Sequence, residues 1–147
     1  MASNKTYNLG LSQWLATDAI LRADFNADNQ KIDSALGSIP RIVAGSYLGT
    51  GAYGPENPRT LTFTFTPLLV IIVADSDEGV VSGSVFMHGQ TTSDGIGNHN
   101  NGAYGLELHL TWGTDRVTWY STAGGDYAAQ KHLNASGQLY HYFAIGL

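Results

Sequence analysis

Residues 59–66 alternate strictly between apolar and hydroxyl-bearing side chains, and this pattern restricts the fold more than any other in the sequence. Leu61, Phe63 and Phe65 share one side of an extended chain, and the other side carries Thr60, Thr62, Thr64 and Thr66. Because successive side chains point to opposite faces of a β-strand, the run predicts a strand with one face in a core and the other in solvent.

The next run, residues 68–74, is apolar at every position. It predicts a strand that is covered on both faces, either as the central strand of a sheet or at a contact between subunits. Other segments with the residue types of strands are 41–48, 80–87, 106–112, 117–121 and 139–145. A turn at 113–115 predicts a hairpin, and 89–102 read as a polar loop. Six to eight short strands separated by turns predict an antiparallel β-sandwich.

The helical pattern is confined to the start of the chain. It predicts a helix over residues 19–36, with Thr17 or Asp18 as the N-cap and Gly37 as the residue just after the helix. Pro40 prevents the helix from continuing. The sequence therefore predicts a mainly β protein with an N-terminal α-helix.

The apolar residues of this helix form one narrow stripe, which Asn29 or Asp28 interrupts. The stripe consists of Leu21, Phe25, Asn29, Ile32 and Leu36. A stripe this narrow suits a seam between like helices, and a lone buried Asn can set the register and number of such helices. The alternative is a helix that lies on its own domain. A helix of this length is too short to hold an assembly alone, so the β part has to contribute.

Composition excludes several classes of protein. The chain has 147 residues, of which 7 are basic and 12 acidic, and no cysteine. A net charge of −5 argues against a nucleic-acid partner, and the absence of Cys excludes disulfides and thiolate metal sites. No apolar run approaches the roughly 20 residues of a transmembrane helix, and the N-terminus does not look like a signal peptide. We expect a soluble protein made in the cytoplasm, with no membrane insertion.

The motifs that resemble catalytic or cofactor sites have ordinary explanations. Residues 49–54 match G-x-G-x-x-G, but prolines and a strand follow where a dinucleotide site needs a helix. The acidic turn at 75–79 lacks the further ligands of a calcium loop. His109 and His141 fall within strands, where they could line a subunit contact or a wet face. The acids outside the helix are scattered, which disfavours a hydrolase. We predict no enzyme activity, cofactor or metal. A metal site would require distant histidines to converge, for example on a symmetry axis.

Two loops have the composition of a recognition surface. Small polar residues with rigid aromatics are what adaptable binding loops use, and Asp, Asn and His side chains can bond sugar hydroxyls. The candidate ligand-binding residues are Asp94, Asn98, His99, Asn100, Tyr104, Tyr120, Asp126 and Tyr127. The alternative is that both are ordinary flexible loops.

Residues 7–14 and 24–33, read with 59–73 and 133–146, resemble small tail proteins encoded by phages and prophages of Gram-positive gut bacteria. The resemblance covers nearly the whole chain. It implies an N-terminal segment, 1–38, for attachment and trimerisation, and a distal receptor-binding β-sandwich, 39–147.

The β part is also similar to the H-type lectins, six-stranded sandwiches that form trimers and bind sugars near subunit contacts. The positions that fit the pattern of that family are Ser46, Arg59, Thr60, Pro67, Val70 and 142–146. The sugar-contacting residues of the family have no position-by-position match here.

Together these resemblances imply a homotrimer in the phage tail, assembled in the host cytoplasm. Such a protein would bind other tail proteins through its N-terminus and a bacterial surface carbohydrate through its distal loops. The alternative is a structural component of the tail tip or baseplate that binds no glycan.

Overall fold

A computed structural model describes residues 1–75, 82–93, 96–97, 108–122 and 133–147. Over these residues the protein is mainly β, with antiparallel sheets and one helix, as the sequence predicts. The chain forms two compact units, which we call the N-terminal unit (Met1–Ile39) and the sandwich unit (Pro40–Leu147).

The N-terminal unit contains a short hairpin and the helix. Strands β1 (Asn4–Lys5) and β2 (Ser12–Gln13) pair antiparallel, and α1 spans Arg22–Gly37. The helix begins three residues later than predicted, and Leu21 occupies the N-cap position without a side-chain cap bond.

The predicted N-cap Asp18 has a different role. Its carboxylate accepts the backbone N–H groups of Ser3 (2.9 Å) and Leu15 (2.8 Å), so it is not available to the first turn of α1. The predicted role of Gly37 is also wrong, because Gly37 is the last helical residue. Ser38 is the C-cap in a right-handed conformation, and its hydroxyl donates to the Ala35 carbonyl (2.8 Å).

No apolar side chain of the N-terminal unit is buried. Only Ser12 and Asp28 are buried among residues 1–39, each 8% exposed. The large apolar residues of α1 are exposed, and Trp14 stacks on Phe25 with the ring centroids 5.0 Å apart. Polar contacts therefore hold this unit together within one chain.

Asp28 is the centre of these contacts. Its Oδ2 accepts the Ser12 N–H (2.7 Å), and Lys31 Nζ lies 3.6 Å from its Oδ1. Lys31 also donates to the Gly10 carbonyl, and Lys5 donates to the Ser12 hydroxyl (2.8 Å). Burial raises the pKa of Asp28, but the bonds from Ser12 and the charges of Lys31 and Lys5 outweigh it, so the pKa falls below 3.8.

The sandwich unit contains two antiparallel sheets. The five-stranded sheet has the order β3-β11-β5-β6-β8, and the four-stranded sheet the order β4-β10-β9-β7. The strands are β3 (Arg41–Leu48), β4 (Arg59–Thr62), β5 (Pro67–Ala74), β6 (Ser82–Met87), β7 (Thr92–Ser93), β8 (Ile96–Gly97), β9 (Leu108–Trp112), β10 (Arg116–Ser121) and β11 (Leu139–Gly146).

Most predicted strands are confirmed, with three adjustments. The alternating strand β4 ends at Thr62, although Phe63 and Phe65 beyond it stay buried. Strand β5 begins at Pro67, one residue before the predicted apolar run 68–74. The predicted polar loop 89–102 contains the two short strands β7 and β8. The predicted hairpin of β9 and β10 is present.

One core lies between the two sheets. The indole of Trp119 on β10 contacts Phe86 and Tyr47 of the opposite sheet, with centroids 5.5 and 6.0 Å apart. Val70 and Ile72 on the central strand β5 are fully buried beneath them. Two antiparallel sheets that share one apolar interior make the unit a β-sandwich.

The sandwich has two distinct ends. Arg41, near the start of the unit, pairs with Gly146 at one end. Leu48 pairs with Leu139 at the other end. There the loop after β3 meets the four-stranded sheet, because Gly54 N–H donates to the Ser121 carbonyl (2.8 Å). We call this second end the loop end.

Acidification should loosen the N-terminal unit. Asp28 and Asp18 have lowered pKa values, so the stability they contribute is fully present above their unfolded value of 3.8 and is lost as the pH falls through the folded pKa. In NMR spectra we expect the Ser12 amide to keep its hydrogen-bonded shift at pH 3.8 and to lose it only as the pH falls further, through the folded pKa of Asp28.

The matched variants are Asp28→Asn and Asp33→Asn, which lie on the same helix. The first should remove the acid transition of the Ser12 amide, and the second, at an exposed site, should retain it. An unchanged transition in Asp28→Asn would show that Asp28 is not its source.

Candidate ligand site at the loop end

The glycine-rich loop after β3 pairs with the segment before β11. Gly49 N–H donates to the Gln138 carbonyl (2.8 Å), and Gly51 N–H donates to the Asn134 carbonyl (2.6 Å). A Cβ at Gly49 would lie 2.0 Å from the Ala135 oxygen, so this close approach requires glycine. Strand β4 follows the loop, where a dinucleotide site would need a helix.

Asn134 fixes the position of this loop. Its side chain is 4% exposed and makes three hydrogen bonds. It accepts from Thr50 N–H (3.0 Å) and donates to the Thr50 hydroxyl (2.9 Å) and the Ala52 carbonyl (2.8 Å). The loop is therefore held by a buried amide that belongs to another segment of the chain.

A pair of stacked tyrosines lies beneath Asn134. The rings of Tyr47 and Tyr140 are 5.1 Å apart; Tyr47 donates to the Leu133 carbonyl (2.7 Å), and the Tyr140 hydroxyl accepts from Ala135 N–H (3.0 Å). Burial raises the pKa of both hydroxyls above 10.0. Both therefore stay protonated at neutral pH and support the loop end structurally.

Arg59 lies against this aromatic group. Its guanidinium carbon is 4.4 Å from the Tyr47 ring centroid, a cation–π contact. Arg59 pairs in register with Trp119, so it belongs to the inner face of β4 with Leu61. Its Nε is buried and has no hydrogen-bond partner among the described residues. A cavity of about 10 Å³ adjoins it, with Asn57, Ser121 and Asn134 in its wall.

The outer face of the four-stranded sheet carries an aromatic pair beside the loop end. His109 and Tyr120 lie opposite each other on β9 and β10, with centroids 4.8 Å apart and an interplanar angle of 17°. Thr92 pairs with His109, and the Thr60 and Thr118 hydroxyls are 2.9 Å apart. This half-exposed surface offers rings and hydroxyls, both of which suit a sugar.

Of the predicted ligand-binding residues, the structure describes only Tyr120. The others lie outside the described residues: Asp94, Asn98, His99, Asn100, Tyr104, Asp126 and Tyr127. The described residues that flank those segments lie side by side in the four-stranded sheet, because Leu108 pairs with both Ser93 and Ser121. The points where the predicted loops leave the sheet therefore adjoin the His109–Tyr120 pair.

A larger groove lies at the opposite end of the sandwich. It has a volume of about 600 Å³, and its walls include Ile42, Phe63, Phe65 and Tyr142. Arg41 also borders it, but its guanidinium already donates to the Thr64 carbonyl (2.9 Å). The groove is apolar and offers little polar recognition.

The described residues show no group of three or more His, Cys, Asp or Glu side chains that could hold a metal ion. His141 Nε2 lies 3.8 Å from Asp75 Oδ2, and both side chains are exposed. Asp77, Glu78 and Gly79 of the acidic turn lie outside the described residues. No helix in the part of the chain that the structure describes is long and apolar enough to span a membrane.

Sequence reasoning assigned no role at the loop end to two of its residues, Arg59 and Asn134. Arg59 left a detectable signal in the sequence. It continues the alternation of Leu61, Phe63 and Phe65 and is therefore a charged residue on the apolar face of a strand. Asn134 left none, because its three bonds join segments more than 80 residues apart.

No protein-family model matches this chain, and no curated protein or solved structure is significantly similar to it.

Replacing Asn134 with Ala should destabilise the sandwich unit. The change removes three part-buried hydrogen bonds, each of which contributes about 0.5–1.5 kcal/mol net. Urea unfolding followed by tryptophan fluorescence measures this loss. Asn57→Ala is the control, since exposed Asn57 makes one bond of 3.2 Å, to the Tyr53 carbonyl. Equal effects of the two changes would contradict the role assigned to Asn134.

Proposed function

We propose that this chain is a homotrimeric phage-tail or tail-like receptor-binding protein that attaches to a bacterial surface glycan. The observation that carries the proposal is the exposed apolar stripe of α1 in a unit that buries no apolar side chain. An isolated unit of about 40 residues usually needs disulfides, metals or oligomerisation for stability, and this chain has no cysteine.

The stripe has the exposure expected of a surface that further copies cover. Phe25 is 48% exposed and Leu36 62%, and Leu21, Asn29 and Ile32 are also exposed. Burying one such large apolar side chain contributes about 1.5–3 kcal/mol. A trimer would gain this from each copy, and Asn29 within the seam would select the register.

A second apolar surface supports the same assembly. On the outer face of the five-stranded sheet, Ile145 pairs with Ile42, and Ile71 pairs with both Phe143 and Val85. Ile42 is 63% exposed. Within one chain the central strand β5 is thus covered on one face only. Its partly exposed outer face would then form a subunit contact, which is one of the two alternatives that its apolar sequence predicts.

The loop end supports the receptor-binding part of the proposal. Three copies would present three such ends, and joint engagement raises apparent affinity by roughly 10² to 10⁴ without a new contact. The His109–Tyr120 pair gives each copy a described surface for a sugar. The N-terminal unit would attach to other tail proteins, which places the protein in the virion.

Light scattering tests the trimer. We expect the mass of three chains at micromolar concentration. Ile32→Asp should reduce it, because a carboxylate in the seam would lose its hydration. Gln30→Asp adds the same charge to an exposed residue on the other side of α1 and should leave the mass unchanged. A wild-type mass of one chain would overturn the trimer.

A glycan array tests receptor binding. Tyr120→Ala and His109→Ala should weaken the best-bound glycan at least about tenfold, the usual cost of removing a central aromatic contact. The control is Tyr7→Ala, which removes a fully exposed tyrosine of the N-terminal unit. A properly folded trimer that binds no glycan would favour the structural tail component instead.

A further inference from the structure

We infer that Arg59 binds an anionic oxygen group, a phosphate or a carboxylate, carried by the ligand at the loop end. The part of this inference that places the group on a glycan rests on the proposed function. The affinity of Arg59 for an anion does not depend on the proposed function.

The guanidinium is placed where a ligand at the loop end can reach it. Arg59 is the first residue of β4, and its side chain continues the inner face of the sandwich beyond Leu61. The ring of Tyr47 supports one side of the guanidinium at 4.4 Å. The side chain is partly buried, so it keeps some access to solvent.

The charge of Arg59 has no counter-ion among the described residues. The described carboxylates that form ion pairs do so elsewhere, with Lys31, Arg116 and His141. Partial burial of a guanidinium without a counter-ion is costly, and a bound anion would offset that cost.

The cavity beside Arg59 limits what can bind. Arg59, whose buried Nε–H lacks an acceptor among the described residues, lines a space of about 10 Å³. That space holds about one water-sized group, which is the size of one oxygen of a phosphate or carboxylate. Asn57, also in the wall, donates one amide hydrogen to the Tyr53 carbonyl, and its second N–H can bond such an oxygen.

A guanidinium is well suited to this task. Its planar donors match two oxygens of a carboxylate or phosphate, and such charge-assisted bonds are about twice as strong as neutral ones. A neutral sugar hydroxyl could accept the Nε–H bond but would leave the charge uncompensated. The observations therefore favour an anionic ligand over a neutral one.

The first experiment follows the Arg59 Nε–Hε resonance of the full chain by NMR while inorganic phosphate is added, with sodium chloride at equal ionic strength as the reference. We expect a saturable shift with phosphate that chloride does not produce. In Arg59→Lys, apparent phosphate binding should weaken about tenfold, because the planar donors are lost while the charge remains. Arg116→Lys, at an exposed ion pair, should bind phosphate as the wild type does.

An unshifted Arg59 resonance would mean that the cavity holds only water, and would overturn the inference. If Arg59→Lys does not fold, the wild-type titration still decides the outcome.

The second experiment compares glycans. Polysaccharides with phosphodiester links or uronic acids should bind more tightly than neutral ones, and Arg59→Lys should reduce this preference at least about tenfold. Whichever polysaccharides bind more tightly, those with phosphodiester links or those with uronic acids, identify the anionic group that Arg59 binds. Equal binding of neutral and anionic glycans would overturn the placement of the anionic group on the glycan and leave the proposed function intact. Phosphate binding at Arg59 without any glycan binding would overturn the proposed function and support the affinity of Arg59 for an anion.

Discussion

The N-terminal unit has no apolar interior, and the assembly we propose depends on this shortage. Hydrophobic burial is the main force that offsets the conformational entropy of an ordered chain. Residues 1–39 bury only Ser12 and Asp28, whereas the apolar side chains of α1 face outward. The burial missing from one chain can come from contacts with further chains, which the exposed stripe is suited to make.

Carboxylates give this unit its shape before any such contact forms. Asp18, Asp24 and Asp28 each accept a backbone N–H from residues 2–15, which ties that segment to the residues that lead into and form α1. Each bond contributes only about 1 kcal/mol net, but each is directional. Polar bonds can therefore set the shape of the unit while its apolar side chains stay free for partners.

The two outer faces of the sandwich differ in chemistry, and so do its two ends. The five-stranded sheet presents Ile42, Ile71 and Phe143, whereas the four-stranded sheet presents threonines and the His109–Tyr120 pair. The first face suits burial against like chains, and the second suits water and polar ligands. The loop end and the end that contains Arg41 lie at opposite ends of the sandwich unit.

The sequence alone determined the mainly β class, most strands and the apolar stripe, because these follow from the spacing of side chains along a strand or helix. Local pattern failed at the start of α1, because Asp18 bonds to Ser3 and Leu15 and leaves no cap for the helix. It also failed at the loop end, where Arg59 meets Tyr47 and Asn134 meets Thr50. Contacts between residues far apart in the chain follow from how the sheets pack, so only the tertiary structure decided them.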